Sequence, residues 1–451
     1  MADSEKLKRF GLDKVAFLVL LVLGLIIAQF VISSRSSFKL SESISLKGTG
    51  LEVAVPDSEN WKRVTADFKY ENNEFRLASM LQISGNSAIT TQWRYFLQPI
   101  KADANQLFTE IAASIDGQIE SSETDTFGQF TFNYVTINSP NIIVFCGITV
   151  LPNGRTLTLE VGQKGVGLEL AEKVFKALLA SVKYNPDNSL VKGAELLKDF
   201  KTSFMSDLPV SELSVQGITD YYRIKDATGN SIGFSTSVIS YSSEPNDNLP
   251  LTVETLFFAS PSYNTFAEQT HFCTNITLGE FDWQVKVGNL LTNHQQITHL
   301  TLDKSNVLTV DKAGKVEQIT FTGVMIPETL LDYVIADFLK SSYETIYLEA
   351  MLSDGRIAPV VISRITSTQT TALLPEHSAA QADFFGAFTI NKKMYYDGSG
   401  RLVSADVQGG FAYRLERTTR DSLLADFPQW LEKIQQMEKY QKKKSSRSKK
   451  D

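Results

Sequence analysis

The chain has 451 residues, of which 43% are hydrophobic and 21% charged, with a formal net charge of -7 and two cysteines. That length exceeds one ordinary core, so two or three domains are expected, and the balance is that of a globular chain rather than a disordered one. Two cysteines exclude a disulfide scaffold and any multi-cysteine zinc or iron–sulfur site.

The first 14 residues carry Lys6, Lys8, Arg9 and Lys14, and then VAFLVLLVLGLIIAQFVI (Val15–Ile32) follows without a single charge. Eighteen helical residues rise roughly 27 Å, the thickness of a bilayer core. Arg35 and Lys39 follow the segment, so the positive-inside bias puts the N-terminus in the cytoplasm and the bulk of the chain outside. A cleaved signal peptide would have a shorter apolar region and a small-residue cleavage site, so an uncleaved anchor over 15–33 is the reading.

Residues 38–186 read as a compact α+β unit. GLEVAVP is a short strand, and WKRVTADFKYENNEFRLASMLQIS gives strands with a polar turn at Glu71-Asn72-Asn73. DANQLFTEIAASI (Asp103–Ile115) has an aspartate N-cap and helical spacing at Leu107, Ile111 and Ile115. FGQFTFNYVTI and NIIVFCGITVLPNGRTLTLEVG alternate as antiparallel strands around a Pro152-Asn153-Gly154 turn, with Cys146 in an apolar run. A single Cys146–Cys273 bridge is the only disulfide the composition allows.

The segment TLTLEVGQKGVGLELAEKVFKALLASV then passes from a strand through Gly162, Gly165 and Gly167 into a helix. That order also describes phosphate-binding loops. Here, however, no Lys-Ser or Lys-Thr follows the glycines, and they miss the dinucleotide spacing. Val174, Leu178 and Val182, with Ala171 and Phe175, form a packing face, so the glycines read as a strand-to-helix reversal.

Together, LEVAVPDSENW, FGQFTFNYVTI and RTLTLEVGQKGVGLELAEKVFKALLASV resemble the PsbP-like fold over roughly a third of the chain. The resemblance implies a binding or accessory domain, not an enzyme.

Pro186 and Pro209 bracket a short helix, the expected linker over 187–206. From 207 to 427 the pattern is β-rich. DYYRIKDATGNSIGFSTSVISY is a hairpin turning at Asp226–Asn230; LPLTVETLFFASP, HFCTNITLGEFDWQVKV, HQQITHLTLD, SNVLTVDKAGKVEQITFTG and TIYLEAMLSDGRIAPVVISRI extend the series. One helix interrupts it, IPETLLDYVIADFL, with Pro327 in its first turn and Leu330, Leu331, Val334, Ile335 and Phe338 on one face. KKMYYDGSGRLVSADVQ closes with a hairpin across Asp397–Gly400. The order of hairpin, proline-led helix and final hairpin is similar to uncharacterised exported bacterial domains and to the curved sheets of LolA and LolB. That resemblance implies a concave apolar groove, with TLFFASPSYNTF (Thr255–Phe266) as its wall, and carries over no catalytic residues.

Residues 428–451 read as a terminal helix running into a basic tail. Lys442–Asp451 holds six basic residues and one acidic one and carries +5, which leaves the rest of the chain at -12. An acidic body argues against nucleic-acid binding, and the Lys442–Lys450 tail suits an anionic partner.

Chemistry-bearing residues are sparse. The histidines are His271, His294, His299 and His377. His271 and Cys273, two apart, would share one face of a strand, but His294 and His299, five apart, fall on opposite faces, so no metal site is assigned. No Gly-x-Ser-x-Gly elbow and no acid–base pair stands out. Asn275-Ile276-Thr277 is a glycosylation sequon that matters only in a host that glycosylates.

The sequence thus predicts an α+β protein: an N-terminal transmembrane helix followed by two antiparallel-sheet domains with few helices. The role it predicts is that of a non-catalytic binding or scaffold protein of the bacterial envelope, without cofactor or metal. It would be single-pass in the inner membrane through Val15–Ile32, with the bulk of the chain periplasmic and a protein or lipid ligand at the second domain. The alternative is a membrane-tethered lipid or lipoprotein carrier that uses an apolar groove in that domain.

Overall fold

Strand-forming runs of period two dominate the chain, and they pair almost entirely antiparallel. The computed structural model describes residues 38–57, 61–63, 67–71, 73–84, 87–97, 104–165, 168–186, 188–207, 218–241, 251–259, 265–273, 280–289, 294–366, 378–385, 390–409 and 412–428. Among them are 26 strands, five α-helices and one 3₁₀ turn, falling into two compact units divided near Asn185.

In the first unit, β1 (Ile44–Leu46) and β2 (Leu51–Val53) form a three-stranded sheet with β11 (Lys183–Tyr184). Seven strands, β3 (Trp61–Arg63), β5 (Glu74–Ser84), β6 (Ser87–Phe96), β7 (Gln118–Phe127), β8 (Phe130–Asn138), β9 (Ile143–Val150) and β10 (Thr156–Lys164), assemble in the order β3-β5-β6-β10-β9-β8-β7. The short β4 (Lys69–Glu71) pairs beside β5.

Helix α1 (Ala104–Ser114) buries Phe108 and Ala112 among Val135, Ile137, Val144, Cys146 and Ile148. Helix α2 (Leu168–Ala180) stacks Phe175 on Phe145 at 5.7 Å. Successive β9 residues point to opposite faces, so the even positions meet α1 and the odd ones α2. This explains why IVFCGITV reads as one apolar run rather than an alternating strand. A Cβ on Gly147 would sit 3.1 Å from Leu179 and 3.2 Å from Phe175, so the glycine lets α2 lie close. Cys146 is free and buried, and burial pushes its thiol well above the ordinary value.

In the second unit, α3 (Asn188–Asp207) precedes a single fifteen-stranded sheet. Its first meander comprises β12 (Ile218–Lys225), β13 (Ser231–Tyr241), β14 (Leu251–Ala259), β15 (Thr265–Cys273), β16 (Phe281–Asn289), β17 (His294–Leu302), β18 (Val307–Lys312) and β19 (Lys315–Thr320). After β20 (Met325–Pro327), the 3₁₀ turn Glu328–Leu330 and α4 (Leu331–Lys340), a second meander follows. It comprises β21 (Thr345–Met351), β22 (Ile357–Ile365), β23 (Ser378–Phe384), β24 (Ile390–Tyr396), β25 (Leu402–Gln408) and β26 (Tyr413–Thr418), and α5 (Arg420–Asp426) ends the unit. The meanders join where β12 pairs with β26, Tyr222 opposite Arg417. In the fifteen-stranded sheet, among the described residues, β20 and β21 alone run parallel, with α4 as their crossover.

Three hairpin loops share one device. Asp226, Asp303 and Asp397 each accept hydrogen bonds from the backbone N–H two and four residues on, and from a Thr or Ser hydroxyl two residues on. Such Asx turns hold the tight reversals.

Helix α4 organises the second meander. Arg364 on β22 donates its guanidinium to the carbonyls of Leu339 (3.0 Å), Phe338 (3.2 Å) and Ser341 (2.7 Å), closing the helix C-terminus. At the other end the Tyr396 hydroxyl donates to the Asp332 carbonyl at 3.1 Å, and Tyr333 hydrogen-bonds Ser237 on β13. From β13 to β22 is six steps in the sheet order, about 29 Å if flat at ~4.8 Å per step. The ten-residue helix is about 15 Å long. The Arg364 and Tyr333 side chains extend its reach at the two ends.

The fold expectation needs correction. The architecture is predominantly antiparallel β, not α+β, and the helices serve as narrow covers on sheet faces. No helix among the described residues is long and apolar enough to cross a membrane. The segment Val15–Ile32, the Lys442–Lys450 tail, the Asn275 sequon and His377 lie outside the described residues.

Candidate functional site

The sequence patterns that place the site are short. In IPETLLDYVIADFL, Pro327 is not in the helix's first turn but ends β20 with extended ψ 138°, just before the 3₁₀ turn, and Glu328 and Asp332, four apart, sit on neighbouring turns. In INKKMYY, Ile390, Lys392, Met394 and Tyr396 alternate with Asn391, Lys393 and Tyr395. Met394 and Tyr396 are buried on one face and Tyr395, against Ile365 and Ala379, on the other; Lys392 shares the face of Met394 and Tyr396, and Lys393 that of Tyr395. Register continues the Lys392 row from Ala382 through Lys392 and Val407 to Tyr413. The helix start thus brings two carboxyls to a sheet face that carries one lysine.

Beside them the β21–β22 turn and the β23–β24 pair line a half-open pocket of about 190 Å³. Leu352, Ala358, Phe384 and Ile390 form its apolar lining, while Glu328, Asp354, Arg356 and Lys392 form the charged one. Asp354 and Arg356 satisfy each other at 2.6 Å. Among the described residues Lys392 makes no such ion pair: its ammonium lies 5.1 Å from the centre of the Phe384 ring, a cation–π contact.

The electrostatics are coupled. Burial pushes the Glu328 carboxyl above its ordinary value; Lys392 and the Ser353 backbone N–H oppose this, and Asp332 and Asp354 add to it. Burial raises Asp332 too, with Lys392 opposing. Burial alone would lower Lys392, but Glu328, Tyr413 and Asp332 outweigh it and hold the ammonium above its ordinary value. Burial also raises the Tyr413 phenol. A charged lysine therefore faces two carboxyls that resist ionisation.

A second charged cluster, in the first unit, is closed. Arg94 binds Glu74 at 2.9 Å and Glu160 at 3.2 Å, while Arg76 also reaches Glu74. Its donors are taken by protein acceptors, as in a structural network.

The residues singled out by sequence do not assemble into a site. His271 on β15 stands opposite Trp283, whose partner on β17 is Leu300. His294 pairs with Asn289, six residues farther along β16, about 20 Å at ~3.3 Å per residue. His299 is exposed and bonded through Nε2 to Asp282 at 2.8 Å. No metal-holding group of His, Cys, Asp or Glu occurs among the described residues. Of the proposed groove wall, Thr255–Ala259 lies on β14 and Thr265–Phe266 on β15, and the side chains lie outside the described residues.

Gly162 lies on β10, which pairs antiparallel with β6 and β9, and Gly165, at φ +77°, abuts Ser87 just after the strand; Gly167 lies outside the described residues.

Glu328, Asp332 and Lys392 were missed by sequence reasoning. The available signal was a lysine on the apolar face of a strand, together with an acidic pair at the start of an otherwise apolar helix.

No family model matches the chain, and no curated protein matches it. Among solved structures it is weakly similar to a β-barrel-like protein of a domain of unknown function, DUF1849, from Brucella abortus. That pair is 10% identical with a TM-score of 0.34, covering 46% of this chain and 97% of the other. A protein of unknown function from the DUF3598 family of Nostoc punctiforme is 11% identical, covers 84% of this chain and 94% of its own, and has a TM-score of 0.10. The structure titled HCR/D-Sa-GBL1/C is 8% identical over 86% of this chain and 89% of its own, with a TM-score of 0.11. These comparisons show neither a PsbP-like nor a LolA/LolB-type relationship, and at such TM-scores the site rests on its own geometry.

Proposed function

We propose that the second unit is a binding domain that holds a small molecule in the cavity between the β21–β22 turn and the β23–β24 pair. The observation that carries this is the lining: apolar Leu352, Ala358, Phe384 and Ile390 together with charged Glu328, Asp354, Arg356 and Lys392. Small-molecule sites combine an apolar wall with a few polar groups in this way. At about 190 Å³ the space falls below the ~300–1,000 Å³ of drug-sized sites and somewhat above the ~150 Å³ that encloses a benzene. That size favours a compact ligand over a long acyl chain, so the carrier reading shifts from lipids to small amphiphiles.

A second reading is favoured by the raised carboxyls Glu328 and Asp332, since shifts of this kind also mark acid–base catalysts. Saturation-transfer NMR on the full chain, with a panel of compact amphiphiles, separates the two. Binding predicts transfer to panel members that is lost in Ala358→Ile, which fills the cavity. Conversion of a panel member into a new species would favour catalysis. Transfer that is unchanged in the filled variant, or absent throughout, would refute the binding reading.

A further inference from the structure

The cavity's charged lining is unevenly satisfied. Asp354 and Arg356 are spent on each other. Glu328 accepts from the Ser353 backbone N–H. Asp332 sits in the first turn of α4, where the helix dipole favours a negative charge. Lys392 carries three N–H donors; among the described residues its ammonium lies over the face of Phe384 and feels the charges of Glu328 and Asp332, but donates no hydrogen bond. An ammonium with unused donors is an incomplete group, because each unmade hydrogen bond of a charge costs more than a neutral one. Phe384 and Ile390, cross-strand partners one same-face pair beyond Lys392, extend an apolar surface from it in the lining.

We propose that the cavity takes a compact monocarboxylate, its oxygens on the Lys392 ammonium and its apolar body against Leu352, Phe384 and Ile390. This rests on the binding reading above and names its ligand class. The size bound limits the body to about one ring or a short alkyl chain. An alkylammonium would meet Lys392 as a like charge. A neutral alcohol would fill the apolar part and leave the ammonium as it is. Groups facing Lys392 from the packed elements are Glu328, Asp332 and Tyr413.

Titration calorimetry on the full chain tests this with sodium hexanoate, phenylacetate, 1-hexanol and hexylammonium chloride. The expected result is hexanoate and phenylacetate binding at least tenfold tighter than hexanol, with hexylammonium weakest. Lys392→Met is expected to weaken the carboxylates by about tenfold or more, the loss of one charge-assisted hydrogen bond, and Lys392→Arg to retain most of the affinity. If Lys392→Met does not fold, the wild-type preference of hexanoate over hexanol decides the matter alone. Hexanol or hexylammonium binding as well as hexanoate would overturn the carboxylate assignment while leaving the cavity a binding site. No heat from any of the four would overturn both.

Discussion

Gly193 sets helix propensity against packing, and the structure decides the sign. In the interior of α3, alanine would favour the helix by about 1 kcal/mol over glycine. But a Cβ at this position would lie 2.0 Å from the Tyr347 carbonyl oxygen and 3.0 Å from its carbon. Both are backbone atoms of β21, buried in the sheet and unable to swing away. To restore ordinary contact the helix must retreat by more than 1 Å, loosening Leu196, Leu197 and Phe200, which are buried on the same helix. Overpacking of this kind costs typically 1–3 kcal/mol and more where backbone is met. Gly193→Ala is therefore expected to destabilise the second unit by about 2 kcal/mol net, or roughly 4–8 °C in melting temperature. Urea and thermal unfolding followed by circular dichroism measure it. An alanine variant as stable as the parent, or more so, would refute the close approach of α3 to β21.

Arg364→Met keeps the packing stem but removes the donors at the C-terminus of α4, and a loss of about 2–3 kcal/mol is expected. A urea midpoint within error of the parent would show that those carbonyls are satisfied by water. Glu328 titrates above its ordinary value of 4.5 when folded, so the folded state holds that proton more tightly than the unfolded one. Its effect vanishes below the ordinary value and appears as a stability loss that grows as pH rises from 4.5 towards the raised folded value. Glu328→Gln should therefore gain melting temperature relative to the parent at pH 7.5 compared with pH 4, and a difference constant across that range would contradict it. Cys146, buried with a raised thiol, should resist maleimide in the native chain and react once unfolded. Native labelling mapped to Cys146 by peptide mass spectrometry would contradict its burial.

Local structure was the legible part of this chain. The turns at Glu71–Asn73 and Asp397–Gly400 announce themselves by residue type: Asn73 adopts φ +63° and Gly400 φ +77°, and Asp397 closes its loop with three hydrogen bonds. The proline-led helix was legible too, because Leu331, Val334, Ile335 and Phe338 keep a helical period and are all buried. What could not be read was assembly. The pairing of β12 with β26 joins segments nearly two hundred residues apart through backbone groups, which carry no residue signature. The weight of β over α was likewise hidden, since β9 and β22 are buried on both faces and lose the alternation that marks a strand. The candidate site escaped for the same reason. Lys392 looks like half of a surface Lys-Lys pair until β24 is given a register, and only then does it fall on one face with Met394 and Tyr396.

The central claim is that the cavity beside Lys392 holds a small ligand. The most direct measurement is methyl NMR of the full chain labelled at isoleucine and leucine, titrated with sodium hexanoate, with Ile390 assigned through Ile390→Val. Saturable shifts at Ile390 and Leu352, with Leu159 in the first unit unmoved, are the predicted result. Shifts confined to other methyls, or none up to saturating hexanoate, hexanol and hexylammonium alike, would contradict it.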